Sequence, residues 1–307
     1  MTAPTVSIGM PVFNGGLYVA EALESLLAQT FRDFELIVSD NGSHDGTEAI
    51  CRSIAAKDPR VRYVRQSENR GAAWNYNFVA KEARGRYFKW AAADDVCAPQ
   101  YLERCVELLE ASPDVILCYG QTTIIEADGT PRGPYDDQLH LVSPNPVERK
   151  RALSALIGEC NAVFGVIRTD VLRRTAMIGN YVGADVGLLT ELSLYGKFFQ
   201  LPDRLFFRRD HAEASSADRS IDRQVVFYDP ARGGRIVFPH SRRTLETWRA
   251  IWRAPLTAGQ KLSLSAATIM GSFRSRDLLW AEWVRGSRRA WRRVRRQDSL
   301  PLHGGTG

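Results

Sequence analysis

The sequence predicts an α/β fold: a mostly parallel central sheet with helices on both faces and a helical C-terminal extension. Three observations carry that prediction. The first 125 residues alternate short apolar runs with amphipathic helical patterns, as βαβ units do. Three of the apolar runs pass straight into polar or acidic residues: Val6-Ser7-Ile8-Gly9-Met10-Pro11-Val12-Phe13 into Asn14, Glu35-Leu36-Ile37-Val38-Ser39 into Asp40-Asn41-Gly42-Ser43, and Tyr87-Phe88-Lys89-Trp90-Ala91-Ala92-Ala93 into Asp94-Asp95. From about residue 240 onward the pattern is wholly helical.

Taken in order, strands are expected over 5–12, 34–39, 61–65, 86–92 and 115–120. Helices are expected between them, over 17–29, 46–56, 72–83 and 99–111. Right-handed crossovers then distribute the helices over both faces. Pro99 suits a helix start, where its missing N–H is not needed. Ala127-Asp128-Gly129-Thr130 reads as a hairpin turn. Residues 130–146 hold Pro131, Gly133, Pro134, Pro144 and Pro146 and read as an irregular surface loop able to cover a site. A helix over 147–157, a strand over 160–168, a helix over 184–195 and a strand over 198–207 follow, and Pro255 and Gly271 are expected to break the C-terminal helices. We place a domain boundary at residue 225, giving units 1–225 and 226–307.

Composition narrows the class. A hydrophobic content of 44% can fill a sizeable core. The net charge of +6 is unevenly spread, because residues 274–296 carry nine Arg against Asp277 and Glu282. That segment is net +7, so the rest of the chain sums to about −1. Cys51, Cys97, Cys105, Cys118 and Cys160 are odd in number and contain no C-x-x-C pair, which suits free thiols in a reducing compartment. The start shows no charged segment leading into an apolar one, so no signal peptide is expected. No stretch approaches 18 uninterrupted apolar residues, which excludes a transmembrane helix at this level.

In an open parallel sheet the polar strand ends converge at the carboxyl edge, where ligands bind. Asp40 there can accept hydrogen bonds from a base N–H or a ribose hydroxyl, or it can close an Asx-turn in Asp-Asn-Gly-Ser. Pro11, Phe13 and Asn14 shape the loop after the first strand. Ser43 or Asp45 is suited to capping the second helix. In Asn69-Arg70-Gly71, glycine allows close approach of a ligand and Arg70 can face a phosphate, or the segment is a plain turn. The pair Asp94-Asp95 is the central feature. Adjacent carboxylates repel unless a cation or proton sits between them. Hard cations such as Mg²⁺ and Mn²⁺ prefer such oxygen ligands.

Pro11-Val12-Phe13-Asn14, Asp40-Asn41-Gly42-Ser43 with Asp45-Gly46-Thr47, Glu68-Asn69-Arg70-Gly71 and Asp94-Asp95, in that order, resemble the serial motifs of family 2 glycosyltransferases over roughly residues 5–210. The resemblance implies a GT-A fold with a Rossmann-like sheet and an inverting transfer of a sugar from a UDP- or dTDP-activated donor. It implies nucleotide contacts by Pro11, Phe13, Asn14, Asp40, Asn69, Arg70, Gly71 and Asp94, and a divalent cation, Mn²⁺ or Mg²⁺, at Asp94 and Asp95. It implies a catalytic base at Asp185, in Gly183-Ala184-Asp185, and places Arg209 and His211 at the diphosphate or a lid. Two acids of the family pattern are replaced here, by Ala92 and Ala184.

The C-terminal stripe Trp280, Val284, Trp291 and Val294, crowded by arginines, suits an anionic membrane surface more than nucleic acid, with a solvated packed helix as the plain alternative. The expected partners are therefore a nucleotide-sugar, a saccharide or lipid-linked acceptor and the inner face of a cell membrane, in the synthesis of a cell-envelope glycan. A sugar nucleotidyltransferase would need a basic, Gly-rich first loop, and Phe13-Asn14-Gly15-Gly16-Leu17 lacks a basic residue. A non-catalytic nucleotide-sugar-binding protein is the alternative favoured by Ala92 and Ala184.

Overall fold

A computed structural model describes residues 3–214, 217, 218, 220–274, 276, 277, 279–284 and 287 of the chain. Its strands are β1 (Val6–Val12), β2 (Phe34–Asp40), β3 (Val61–Arg65), β4 (Tyr87–Trp90), β5 (Val96–Cys97), β6 (Val115–Ile125), β7 (Pro131–Tyr135), β8 (Val166–Arg168) and β9 (Lys197–Arg209). Its helices are α1 (Val19–Leu27), α2 (Thr47–Ala55), α3 (Ala72–Glu82), α4 (Tyr101–Ala111), α5 (Pro146–Leu156), α6 (Thr169–Arg173), α7 (Ala184–Tyr195), α8 (Ile221–Tyr228), α9 (Pro239–Arg253) and α10 (Ala258–Arg274). The nine strands form one sheet in the order β3-β2-β1-β4-β8-β6-β9-β5, with β7 on the outer part of β6.

Every residue of β1 and β2 is buried, as expected for strands covered on both faces. Val6, Ile8, Met10 and Val12 point into one core with α1, α2 and α4. Ile37, Phe88 and Trp90 point into a second core on the other face with α3 and α7. The period-two alternation of strands thus fills both layers from one sheet. β3, β2, β1 and β4 are parallel throughout, so the ends of β1, β2 and β4 reach one edge.

The second half of the sheet is mixed. β8 inserts antiparallel between β4 and β6, whereas β6 and β9 run parallel. Only Val166–Arg168 of the expected 160–168 strand is extended, because Asn161–Phe164 winds into a 3-10 turn after Cys160, whose φ is 58°. The expected loop at 130–146 is partly ordered sheet: Pro131–Tyr135 is an edge strand with a register shift, the setting in which proline is tolerated. α10 runs through Gly271 without a break, while Pro255 lies in the α9–α10 connection as expected. α9 and α10 seat on α7 through Leu194, Ile251, Ala254 and Leu264. Of the expected C-terminal stripe, Trp291 and Val294 lie outside the described residues. The five cysteines are free and buried, and no described helix is long and apolar enough to cross a membrane.

The opposite edge of the sheet is fastened by a buried carboxylate. Glu35 accepts from the Ser7 hydroxyl at 2.6 Å and from the Arg84 guanidinium at 2.6 Å, while Ser7 Oγ accepts from the backbone N–H of Gly85 at 2.8 Å. Burial alone would raise the Glu35 pKa, but the bonds from Arg84 and Ser7 outweigh it and hold the carboxyl below its ordinary value. A carboxyl with a lowered folded-state pKa stabilises the fold above its unfolded pKa and loses that contribution as pH falls through the folded one. Ser7→Ala should lower the unfolding free energy by about 1–3 kcal/mol at neutral pH, read from urea melts. The penalty of Glu35→Gln should shrink when the melts are repeated well below the ordinary glutamate pKa; an unchanged penalty would refute the assigned role of the charge.

Candidate active site

The loops after β1 and β2 are laced together by side chains reaching backbone. Asn14, at φ 53°, donates its N–H to Ser43 Oγ at 2.9 Å and accepts from the His44 N–H through Oδ1 at 2.9 Å. Gly15 N–H donates to Thr47 Oγ1, and Gly16 N–H to Asp45 Oδ2, both at 2.9 Å. Asp45 holds its own helix start by accepting from Thr47, and these bonds lower its pKa against the opposing effect of burial. Phe13 is left exposed beside His44. Pro11 is buried in β1 opposite Ser39.

Asp40 ends β2 with no exposed surface. Its Oδ1 accepts from Ser43 N–H at 2.8 Å and its Oδ2 from the Tyr63 hydroxyl at 2.6 Å. Both alternatives for this residue were open in the sequence; the folded chain uses it as a turn anchor. The neighbouring Asn41 and Asn69 clasp the next loop. Asn41 Nδ2 donates to Asn69 Oδ1 at 2.9 Å, and the same Oδ1 accepts from Gly71 N–H at 2.8 Å. Arg70 is exposed and lies 4.0 Å over the Trp74 ring.

Gly71 has φ 85°, and a Cβ there would sit 2.5 Å from the Tyr228 carbonyl oxygen and 2.8 Å from Pro230. The close approach that glycine permits is therefore made by the chain's own 228–230 segment, where a ligand was expected. That segment joins α8 to a short 3-10 turn, and it lies against the start of α3 at Gly71.

Asp94 and Asp95 follow β4. Asp94, whose side chain is 32% exposed, points Oδ2 at His211 Nε2 at 3.0 Å. Asp95 is buried beneath it and accepts the Arg209 backbone N–H at 2.9 Å. Burial, then the charge of Asp94, pushes the Asp95 carboxyl well above the usual carboxylate range, although Arg208 and the buried Lys89 oppose that rise. Lys89 is itself fixed by the Phe164 carbonyl and lies 4.6 Å from the Tyr101 ring.

Arg209 is placed differently from the expectation that turned it toward a diphosphate. It is 2% exposed, and its guanidinium is directed into protein. Nε donates to the Asp94 carbonyl at 2.9 Å, Nη1 to the Ala127 carbonyl at 3.0 Å, and Nη2 to Glu21 at 2.6 Å. Its sequence neighbour Arg208 reaches Glu159 at 3.1 Å instead. His211, two residues on, packs its ring 4.6 Å from Tyr18 and remains at the Asp94 carboxylate.

Asp185 opens α7, preceded by Gly183 in the left-handed region and by Ala184, which has no exposed surface. Its Oδ1 accepts from Val186 N–H at 2.8 Å. The Cys160 thiol faces it and is pushed up by burial and then by the Asp185 charge. Tyr76 links the two acidic regions. Burial raises its pKa first, and the charges of Asp94, Asp95 and Asp185 raise it further. Tyr228 is raised in the same way, by burial and then by Asp185.

The structure thus sets Asp94, Asp95 and His211 together and places Asp185 at the start of α7, while Asn14, Asp40, Asn69 and Gly71 brace the neighbouring loops. Tyr76, Tyr228, Cys160 and Glu159 went unmarked in the sequence, because each enters the site only by long-range packing. Among the described residues no group of three His, Cys, Asp or Glu side chains is arranged as a metal cage. The part-exposed Asp94 carboxylate with His211 fits a shared site, one to which a ligand's phosphates add the remaining oxygens.

The sequence pattern of glycosyl transferase family 2 matches residues 7–175. An uncharacterized glycosyltransferase of Rickettsia prowazekii is 30% identical over 213 residues, covering 66% of this chain and 61% of that protein. The chain therefore spans about six tenths of the length of that relative. Among solved structures, S. aureus TarS 1–349 in complex with UDP superposes with a TM-score of 0.63 at 16% identity, covering 86% of this chain and 70% of the other. A mannosyltransferase from Pyrobaculum calidifontis, in complex with GDP-Man and Mn²⁺, does so with a TM-score of 0.51 at 16% identity, covering 94% and 87%. These likenesses fix the GT-A type of fold, and with a family match over more than half of its length, this chain belongs to glycosyl transferase family 2.

Proposed function

We propose that this protein is an inverting glycosyltransferase that moves a sugar from a UDP- or dTDP-sugar to a hydroxyl of a saccharide or lipid-linked acceptor, in cell-envelope glycan synthesis at the inner membrane face. One observation carries the reading: the family pattern covers residues 7–175, and the part-exposed Asp94 after β4 meets His211 at 3.0 Å while Asp185 stands in the first turn of α7. Two such carboxylates supply what a single displacement needs, a proton acceptor and a holder for the leaving group.

The acceptor hydroxyl oxygen attacks the anomeric carbon opposite the diphosphate. The new C–O bond forms as the carbon–phosphate oxygen bond breaks, the hydroxyl proton passes to the Asp185 carboxylate, and the nucleoside diphosphate departs with the bonding electron pair. Ala184 is buried and Asp185 sits in the first turn of α7, its Oδ1 accepting from the Val186 N–H. Asp94, with Asp95 and His211, would hold a divalent cation together with the diphosphate. When bound, that cation supplies charge neutralisation to the departing phosphates.

Arg209 acts as a positioning residue, since its guanidinium holds the Asp94 carbonyl and its N–H holds the Asp95 carboxylate. The nucleotide lies against Pro11, Phe13, Asn14, Asn69, Arg70 and Gly71, once the 228–230 segment lifts from Gly71. Asp40 supports that surface through its turn and Tyr63. The membrane contribution of the basic tail at 274–296 adds the location.

Two outcomes test the reading. Asp185→Asn should lower kcat by about 10²-fold or more while leaving the thermal shift induced by UDP intact. Retention of most activity would remove Asp185 as the base. In a thermal-shift panel of UDP, dTDP and GDP with and without Mn²⁺, the wild type should respond to UDP or dTDP, more strongly with the metal. Asp94→Asn should abolish the metal-dependent part. A metal-dependent shift of full size in Asp94→Asn, or a response to GDP alone, would overturn the cation site or the donor class.

A further inference from the structure

The helical hairpin made by α9 and α10 has two apolar faces, and only one is used inside the protein. Ile251 of α9, Ala254 just past its end and Leu264 of α10 enter the cluster that contains Leu194. On the opposite side of α9, Leu245, Trp248 and Trp252 are exposed at a spacing of one helical stripe. On the opposite side of α10, Leu262, Ile269 and Phe273 form another, with Leu262 at 62% and Phe273 at 72% exposure. Trp280 continues that spacing and is also exposed, and residues 276, 277 and 279–284 are helical. Since both helices turn their inner faces to the same cluster, both outer stripes face away from it.

The hairpin is a built element. Thr244 Oγ1 and Ser272 Oγ lie 3.2 Å apart across it, and Lys261 Nζ donates to the Trp252 carbonyl at 2.9 Å. Buried Glu282 accepts from the His240 and Ser241 N–H groups, capping the start of α9. A stripe of large apolar side chains left in water on such an ordered element marks an interaction surface.

Charge selects the occupant. Residues 239–296 hold thirteen Arg and Lys261 against Glu246, Asp277 and Glu282, a net of +11, so the remainder of the chain is net −5. Glu246 is already drawn between Arg242 and Arg249, and Glu282 is buried as the cap. Within 239–273, Arg242, Arg243, Arg249, Arg253 and Lys261 stand against Glu246 alone, so the hairpin itself is cationic. A second copy would bring a like-charged rim against it. An anionic lipid surface satisfies both halves of the pattern, with tryptophan at the interface and Arg and Lys at the headgroups.

We propose that the α9–α10 hairpin docks the protein on an anionic bilayer by its outer face, with Trp248, Trp252, Ile269 and Phe273 entering the headgroup–acyl boundary. This deepens the membrane assignment made for the basic tail, but it rests on the folded hairpin and is independent of the donor chemistry.

The test is flotation of the full chain with phosphatidylcholine vesicles that contain either no anionic lipid or about 30% phosphatidylglycerol. The wild type should float with the anionic vesicles and keep part of its binding at raised salt, because apolar insertion is not screened. The double substitution Ile269→Glu/Phe273→Glu should reduce binding by about tenfold or more. Trp252→Glu, on the other helix, should weaken it independently. Both positions are exposed, and an unchanged UDP thermal shift verifies the fold and tests the donor reading separately. Failure of the wild type to float with anionic vesicles overturns the proposal. So do variants that bind like wild type, which would assign binding to tail charge alone. Sedimentation velocity showing self-association of the wild type that the same substitutions abolish would assign the face to a second copy and overturn it too.

Discussion

The site depends on one buried guanidinium. Arg209 ends β9, the strand paired between β6 and β5, and its side chain turns inward at that end. From there it bonds the Asp94 carbonyl, the turn at Ala127 and Glu21 of α1, while its N–H holds Asp95. Three segments distant in sequence meet on one planar fork, and the Tyr18 ring lies 4.9 Å from it. A planar cation with five fixed donors can impose such geometry where a lysine cannot. The acidic pair owes its orientation to this contact, and so does the placing of His211 two residues beyond it.

Around that point the work of the residues divides by depth. Those fully enclosed, such as Asp40, Asp95 and Lys89, face protein donors or carbonyls and set the loops. Those only partly enclosed, Asp94 and Asp185, keep an open side, with the covered His211 ring backing Asp94. The loops after β1 and β2 are joined by four side-chain-to-backbone bonds, so neither can shift without the other. The carboxyl edge of the sheet is thus held by fixed donors and acceptors.

Much of this was legible in the sequence, and the reason is locality. β1 to α4 follow from apolar periodicity and turn chemistry within windows of about ten residues, and the observed bounds differ little from those expected. Asp94-Asp95 stood out because adjacent acids at a strand end are a local signal, and Asp185 through the family resemblance. What escaped depends on partners far along the chain. A proline-rich stretch becomes β7 only because β6 offers an edge. The extended part of 160–168 shrinks to three residues between β4 and β6. Arg209 reads as a solvated charge until Glu21 and Ala127 arrive, and Gly71 reads as a ligand contact until Tyr228 covers it.

The ion pair between Arg253 of α9 and Glu191 of α7 has a mechanical meaning. Glu191 is almost fully buried, its Oε1 is 2.6 Å from Arg253 Nε, and its Oε2 takes the Ala176 N–H. It lies less than two turns from Asp185 on a single stiff helix. The pair therefore ties α9 to α7 less than two turns from Asp185, so the helical hairpin and the start of α7 share one buried anchor.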